Sequence, residues 1–285
     1  MLSLTELNYV RLRDFHRMRQ IMDAKEKTTY DMVKQSLQDL LTRESIRTDE
    51  IDSIIYSHCL HSHPGSFFFL EQLKQDLGLE GIPAFEISDL NCATTSLAIK
   101  MGKERLSTSD KPYALLLFGE KAFTPLLRTL EDITIVSDAA AACLLKRDAE
   151  SDHILHVTHY IDGNISNTEV TDEESFRWFQ TSYFLGIKKV ILQSLKATGL
   201  KIEDVKLFIP HNVNYDTWEY MAKAMNLPLE RLYLKNIADQ GHANGTDTIL
   251  NTEDVYLEGL LERGDYYLFL SIGRGGAYGC VVLQH

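Results

Sequence analysis

Residues 85–100 are FEISDLNCATTSLAIK, and two kinds of secondary structure meet within this stretch. The apolar segment Ala84–Ile87 is typical of a strand, and residues 93–106 have the small and amphipathic residues of a helix. Between them stands Cys92, at the first turn of the predicted helix. Unpaired backbone N–H groups and the positive end of the helix dipole stabilise a thiolate there. The thiolate is the nucleophilic form of cysteine, so Cys92 is a candidate nucleophile.

Composition and charge narrow the class of protein. The chain has 285 residues, of which 44% are hydrophobic and 25% are charged, as in a globular protein with a buried core. Its net charge of −12 argues against general nucleic-acid binding, because that needs a basic surface. No stretch approaches the roughly 20 apolar residues that span a bilayer, and the N-terminus lacks the pattern of a signal peptide. We therefore expect neither a nucleic-acid partner nor a membrane partner.

The cysteines indicate the compartment. The chain contains four, at positions 59, 92, 143 and 280, and their spacing matches neither a disulfide framework nor a standard metal site. Free thiols are typical of a reducing environment, so we expect a cytoplasmic protein.

A faint internal duplication organises the chain. Helices are predicted at 29–41 and 187–198, and each is followed by an acidic pair and a short apolar strand. Each half closes with small residues and then an apolar strand, at 137–145 and 273–283. Helices that alternate with buried strands indicate an α/β protein. Two α/β halves related by a pseudo-twofold axis are the simplest explanation of this pattern.

Two later segments place polar groups at predicted strand ends, where α/β proteins gather their sites. His211 follows a buried strand in the sequence PHNVN, and Asn244 lies in HANGTD, where Thr246 or Asp247 can cap the next helix. A thiolate, an imidazole and a carboxamide together make an acyl-transfer site, since the sulfur takes the acyl group and N–H donors hold the oxyanion. Each residue by itself is more often structural, as a buried thiol, a hydrogen-bonded ring or a turn former.

The order and local sequence of these segments resemble the thiolase fold, and within it β-ketoacyl-ACP synthase III and its relatives. Five motifs carry the resemblance, and together they cover roughly residues 30–285 in the order of the family. They are DLNC (89–92), VSDAAAA (136–142), PHNVN (210–214), HANGT (242–246) and GRGGAYG (273–279). A single one of these motifs is weak evidence, whereas their common order is specific.

The resemblance implies an architecture. It is an α/β thiolase fold, in which two pseudo-twofold-related α/β halves form a layered α-β-α-β-α core. Residues 1–150 are expected to be the N-terminal thiolase-like half, which carries the nucleophilic cysteine. Residues 151–285 are expected to be the C-terminal half, which carries the histidine and the asparagine.

The resemblance also implies an acyltransferase. Cys92 would take an acyl group from acyl-CoA or an acyl carrier protein, while His211, as acid/base and donor, and Asn244 would hold the carbonyl oxygen of the second substrate. We expect decarboxylative condensation with a malonyl thioester in lipid or secondary-metabolite synthesis, without a metal ion or a redox cofactor. His242, close to the motif asparagine, is a second candidate imidazole. The residues expected to bind substrate are Asn214, His242, Gly273 and Gly275.

Several departures from the family pattern point to a specialised relative. Residues 2–22 are charged and helix-like where the family has its first strand, and Ala243 stands where β-ketoacyl synthases have glycine. The resemblance implies a homodimer, and the altered N-terminus leaves a heteromer open.

Three alternative functions stay open. The first is transfer of the acyl group to a hydroxyl or an amine without decarboxylation, with histidine as general base. The second is a catalytically silent partner subunit of another synthase, which the retained Cys92, His211 and Asn244 argue against. The third is a metal sensor built on the four His and Cys side chains of residues 58–63, although their spacing matches no standard zinc motif.

Overall fold

Helices and strands alternate along the computed structural model, which describes residues 11–60, 68–130, 133–163 and 173–285. The helices are α1 (Thr29–Glu44), α2 (Phe69–Leu77), α3 (Thr94–Thr108), α4 (Pro125–Arg128), α5 (Glu173–Thr198), α6 (Tyr215–Ala224), α7 (Ile237–Gln240) and α8 (Asp247–Leu257). The strands are β1 (Ile51–Ser57), β2 (Ala84–Ile87), β3 (Tyr113–Glu120), β4 (Thr129–Leu130), β5 (Thr134–Ile135), β6 (Ala139–Lys146), β7 (His153–Ile161), β8 (Val205–Pro210), β9 (Tyr266–Gly273) and β10 (Ala277–Gln284). None of the helices in these ranges is both long and apolar enough to cross a bilayer.

Three strands of each four-stranded sheet repeat the same pattern of pairing. The first sheet has the order β2-β1-β3-β6 and the second the order β7-β10-β9-β8. In the first sheet β1 is parallel to β3, which is antiparallel to β6; in the second, β8 is parallel to β9, which is antiparallel to β10. This repeat confirms the predicted pseudo-twofold relation. The sheets divide between residues 146 and 153, on either side of the boundary proposed at 150.

The acidic pairs of the sequence duplication have the same structural role in both halves. Each lies in a short 3-10 turn directly before a strand of its half, at Thr48–Glu50 before β1 and at Ile202–Asp204 before β8. The backbone N–H of Arg47 donates to Glu50 Oε2 at 3.3 Å, and that of Lys201 donates to Asp204 Oδ2 at 2.7 Å. An acidic side chain three residues into a turn satisfies a backbone N–H that the turn leaves unpaired.

The helices lie in three layers that enclose the two sheets. In the middle layer, α3 contacts β1 and β3 of the first sheet and β7, β9 and β10 of the second. On the outside, α1 packs on β3 and β6 and α5 packs on β7 and β10. The inner face of α1 is formed by Val33, Leu37 and Leu40, all buried, and full burial of such a side chain stabilises the fold by about 1.5–3 kcal/mol. The predicted layered α-β-α-β-α core is confirmed.

Helix α5 begins well before the predicted start at residue 187. Gly186 interrupts the amphipathic pattern of the sequence, because glycine usually weakens a helix. Here the glycine serves packing against β10, since a Cβ atom at position 186 would lie 2.1 Å from Cζ of Tyr278. The close packing on Tyr278 therefore accounts for a glycine inside α5.

The N-terminal segment differs from the helix expected over residues 2–22. In the described part, only Arg11–Phe15 are helical, as one π-helical turn, and the chain then continues without helix or strand to Thr28. Leu12 and Met18 are buried in the core of the second half, and the N–H groups of residues 19 and 20 donate to the carbonyl of Ala238. Anchoring across the molecule, rather than local helix propensity, holds this segment.

Candidate active site

Cys92 lies at the end of a tight turn between β2 and α3. Asp89 and Asn91 have left-handed backbone conformations, with φ of 73° and 48°, which cost an ordinary residue roughly 1–2 kcal/mol. The side chain of Asn91 donates to the carbonyl of Arg274 at 2.9 Å, so the second half of the chain holds the turn. The Cys92 side chain is 7% exposed and lies two residues before α3, as the sequence predicts.

The glycine-rich segment at the end of β9 packs against this turn. A Cβ atom at Gly273 would lie 2.0 Å from the carbonyl oxygen of Leu90, so only glycine lets the strand end pack there. Gly275 has φ of 90° and forms the turn into β10. Neither is among the described residues that line the cavity above Cys92. The two glycines therefore form the backbone beside the Cys92 turn, and their role in substrate binding stays a prediction.

His242 is the imidazole nearest to the nucleophile. Its Nε2 is 3.3 Å from Cys92 Sγ, and its Nδ1 is 2.6 Å from Asp247 Oδ2. Burial by itself lowers the pKa of His242, but the charges of Cys92 and Asp247 and the hydrogen bonds to them outweigh burial and hold that pKa well above its usual range. The ring is therefore an imidazolium between two anions.

The pKa of Cys92 is shifted in the complementary direction. A hydrogen bond from the thiol of Cys59 and the positive charge of His242 lower it to about 6, against the opposing effect of burial. At neutral pH the site therefore holds a thiolate–imidazolium pair, which is the reactive form of a cysteine nucleophile.

Asp247 connects the two histidine loops. Its fully buried carboxylate accepts the backbone N–H of Asn212 at 2.7 Å and that of Ala243 at 2.7 Å, in addition to the ring of His242. The first of these groups follows His211 directly, and the second follows His242. One side chain therefore fixes the positions of both rings, and charge-assisted bonds of this kind are the stronger ones.

His211 has the opposite chemistry. Its Nδ1 accepts the backbone N–H of Ile272 at 3.1 Å, so the proton of the neutral ring is on Nε2. Burial and the charge of His242 lower the pKa of His211 well below its usual range. Nε2 is buried and has no hydrogen-bond partner among the described residues. His211 is thus a neutral N–H donor in the cavity, which suits the predicted role of oxyanion donor and not that of acid/base.

Asn244 lies between Cys92 and a buried carboxyl group. Its Nδ2 donates to Glu120 Oε2 at 3.1 Å, and its Oδ1 is 3.7 Å from Cys92 Sγ. Glu120, at the end of β3, also accepts the N–H groups of Cys59 at 2.9 Å and Leu60 at 3.1 Å. Burial, with the nearby charge of Cys92, raises the pKa of Glu120 to about 8.

A cavity of about 790 Å³ opens above these groups. Cys92, His211, His242 and Asn244 all line it, and most of its surface is apolar. Its cationic lining residues are Arg11, Lys188, Lys223 and Arg274. Such a cavity can hold an acyl chain near the sulfur and anionic groups near the cations.

Asn214 also lines the cavity, but its polar atoms are engaged in structure. Its Oδ1 accepts the backbone N–H of Thr217 at 2.8 Å and so caps α6, while its Nδ2 donates to the carbonyl of Ile133 at 3.2 Å. Its expected role in substrate binding is therefore secondary to capping.

Comparison with known proteins shows which sequences and structures this chain is similar to. Residues 195–285 match the family described as 3-oxoacyl-[acyl-carrier-protein] synthase III, C-terminal. The β-ketoacyl-[acyl-carrier-protein] synthase III of Aquifex aeolicus is 25% identical over 272 residues, which cover 92% of this chain and 86% of the relative. Along most of its length the chain is therefore similar to β-ketoacyl-ACP synthase III, and its C-terminal third matches the model of that family.

Solved structures show which fold the chain has. The crystal structure of 3-oxoacyl-[acyl-carrier-protein] synthase III from Aquifex aeolicus aligns with a TM-score of 0.81 and 21% identity, over 96% of this chain and 90% of that one. The structure of ChlB3, described as an acyltransferase, aligns with a TM-score of 0.84 and 19% identity, over 95% and 88%. The thiolase fold predicted from the motifs is therefore confirmed.

The sequence pattern does not reveal the part that Asp247, Cys59 and Glu120 have in the site. It indicates Asp247 as a helix cap and Cys59 as one of the side chains of the alternative metal site, and it does not single out Glu120. Glu120 ends one buried strand and Cys59 follows another, which is the same signal that singled out His211. A polar residue at the end of a buried strand is therefore the sequence signal that Glu120 and Cys59 share.

The side chains of the alternative metal site, at residues 58–63, are only partly covered by the structure. His58 Nε2 is 3.2 Å from Glu86 Oε2, and Cys59 faces the active-site cavity. His61 and His63 lie outside the described residues. Among the residues that are described, no three His, Cys, Asp or Glu side chains gather to hold a metal ion.

Proposed function

We propose that this protein transfers an acyl group from acyl-CoA or an acyl carrier protein to Cys92 and then condenses it with a malonyl thioester, with loss of carbon dioxide. The observation that carries the proposal is the division of labour between two buried histidines. His242 forms an ion pair with the sulfur, and His211 offers a neutral N–H to the cavity. A condensing enzyme needs both functions, one for each half-reaction.

In the first half-reaction the Cys92 thiolate attacks the carbonyl carbon of the acyl thioester. A new C–S bond forms, and the coenzyme A or carrier thiolate leaves with the proton of the His242 imidazolium. The products are an acyl-cysteine, a free thiol and a neutral imidazole. The cationic residues around the cavity suit the phosphate groups of either carrier.

In the second half-reaction the malonyl thioester carbonyl accepts the Nε2–H of His211. The C–C bond to the carboxylate breaks, and carbon dioxide leaves. The electron pair of that bond stays with the thioester as an enolate, whose oxygen the His211 Nε2–H stabilises. The enolate carbon attacks the acyl-cysteine and expels the Cys92 thiolate, and His242 regains a proton from water. A single donor of this kind contributes about 10²–10³ in rate.

Intact-protein mass spectrometry with acyl-CoA, followed by labelled malonyl thioester, tests the proposal. We expect an acyl adduct on the wild type and on Cys143→Ala, a matched thiol in β6, and none on Cys92→Ala. Release of labelled carbon dioxide should follow only from the acylated enzyme. A wild type without any adduct supports the silent-subunit alternative instead.

A second candidate is transfer to a hydroxyl or an amine, and the His242–Asp247 pair favours it. After acylation His242 is neutral, so it can take the proton of an attacking hydroxyl and restore the ion pair with the released thiolate. ChlB3, with its TM-score of 0.84, is described as an acyltransferase, although that likeness concerns the fold. If alcohols or amines remove the acyl group from Cys92 and no carbon dioxide is released, the reaction is transfer to a hydroxyl or an amine and not condensation.

We also propose a cytoplasmic homodimer, with a heteromer as the alternative. β2 is four residues long and lies at the edge of the first sheet. An edge strand offers backbone groups for pairing with a second copy. Light scattering measures the mass of the purified protein in solution. A mass equal to the 32.5 kDa of the chain indicates a monomer, and twice that mass indicates a dimer.

A further inference from the structure

Cys92, Asn244 and Glu120 form a buried series of polar groups in which donors and acceptors must match. A carboxamide donates only through Nδ2 and accepts only through Oδ1. In the structure Nδ2 is 3.1 Å from Glu120 Oε2 and Oδ1 is 3.7 Å from Cys92 Sγ. This orientation suits a carboxylate that accepts and a neutral thiol that donates.

A thiolate at Cys92 reverses the requirement. It has no proton to donate, so the amide oxygen would face an anion in a buried site. A half-turn about the Cβ–Cγ bond of Asn244 exchanges Oδ1 and Nδ2 and turns an N–H toward the sulfur. The amide oxygen then faces Glu120 and needs a donor there, which only a protonated carboxyl group supplies.

The surroundings of Glu120 favour its neutral form. The side chain is 2% exposed, and its titratable neighbours are Tyr56, Cys59, Cys92 and His242. The only cation among them, His242, already lies between two anions. Lys121, next in the chain, directs its Nζ to the carbonyls of Lys25 and Lys27 instead. Burial without a cation partner disfavours a carboxylate, in line with the raised pKa of this group.

We propose that Glu120 is a positioning residue, which as a neutral acid donates its O–H to the amide oxygen of Asn244 and turns the amide N–H groups toward the Cys92 sulfur and the substrate carbonyl. The carboxyl oxygens still accept the N–H groups of Cys59 and Leu60, so nothing else in the site must move. The inference deepens the proposed function and rests on it, since it completes the pair of oxyanion donors that His211 begins.

The variants Glu120→Gln and Glu120→Ala test this role by activity. Glutamine presents a permanent N–H to the amide oxygen and loses only the bond from Leu60, so condensation should stay within about tenfold of wild type. Alanine leaves Asn244 unpositioned and should lower condensation by about 10²-fold.

The wild-type rate should fall about tenfold per unit as pH rises above about 8, because the acid form is the active one, and Glu120→Gln should lack this decline. Glu104→Gln, on the exposed face of α3, is the matched control.

An infrared difference spectrum tests the protonation state without any substrate. Wild type minus Glu120→Gln at pH 7 should show the C=O stretching band of a carboxylic acid, and the band should disappear as pH rises through about 8. Its absence at pH 7 overturns the inference, as does a Gln variant that is as inactive as the Ala variant. If the band is present while the wild type forms no acyl-enzyme, the proposed function fails and the positioning of Asn244 stands.

Discussion

The pockets of His211 and His242 are adjacent, with ring centroids 5.3 Å apart, yet they prepare the same residue type for opposite tasks. In one, Nδ1 accepts a backbone N–H from β9, so the ring stays neutral and donates through Nε2. In the other, Nδ1 faces the carboxylate of Asp247, so the ring holds a second proton and pairs with a thiolate.

The difference shows that the group at Nδ1 decides what Nε2 can do. A donor at Nδ1 excludes a proton there, and an anion at Nδ1 attracts one. Electrostatics strengthens the contrast, because the positive charge of His242 further lowers the pKa of His211. Two imidazoles in one cavity can therefore serve two half-reactions without exchanging roles.

The largest expected effect comes from removing the charged ring. His242→Gln should slow acylation of Cys92 by about 10²–10⁴-fold, because it removes both the counterion and the proton donor to the leaving thiolate. Rapid-quench mass spectrometry with acyl-CoA measures the rate, and His153→Gln at the exposed start of β7 is the control. A loss below threefold would mean that Cys59 and the helix dipole alone maintain the thiolate.

A smaller and more selective effect is expected for the neutral ring. His211→Ala should lower condensation by about 10²–10³-fold, the usual loss for one oxyanion donor, while acylation of Cys92 stays close to wild type. Separate measurement of the acyl adduct and of carbon dioxide release checks the split. Equal losses in both half-reactions would contradict the division between the two pockets.

The pH dependence of alkylation sharpens the comparison further. Iodoacetamide should react with Cys92 at a rate that falls as pH drops through about 6, because the lowered pKa keeps the thiolate above that value. A thiol of ordinary pKa, near 8.5, would react about 30-fold more slowly at pH 7. His242→Gln should move the midpoint upward and His211→Ala should not, with Cys92→Ser as the background for the other cysteines.

The smallest expected effect concerns a residue that lines the cavity but belongs to the scaffold. Asn214→Ala removes the N-cap of α6 and should lower the free energy of unfolding by about 1 kcal/mol, measured by urea denaturation. A rise in KM for acyl-CoA at unchanged stability would instead restore its predicted role in substrate binding.

The sequence predicts much of this molecule because its signals are local. Strand β2 has the predicted bounds, and α1 and α3 end two or three residues beyond theirs. Cys92, His211 and Asn244 were found because each lies next to a strand end or a helix start. The predictions for residues 16–22, in the described part of the N-terminal segment, and for the start of α5 were wrong, since these conformations depend on contacts with Ala238 and Tyr278.

The sequence alone indicates which polar side chains lie at strand ends and helix starts. Their chemical states depend on the tertiary structure. The partner of His211 is 61 residues away at Ile272, and the partner of Asn244 is 124 residues away at Glu120. A proton's position depends on which donor, acceptor or charge faces a given atom within about 3 Å. Folding alone brings those atoms together, so the same motif can hold a base, a donor or an ion pair.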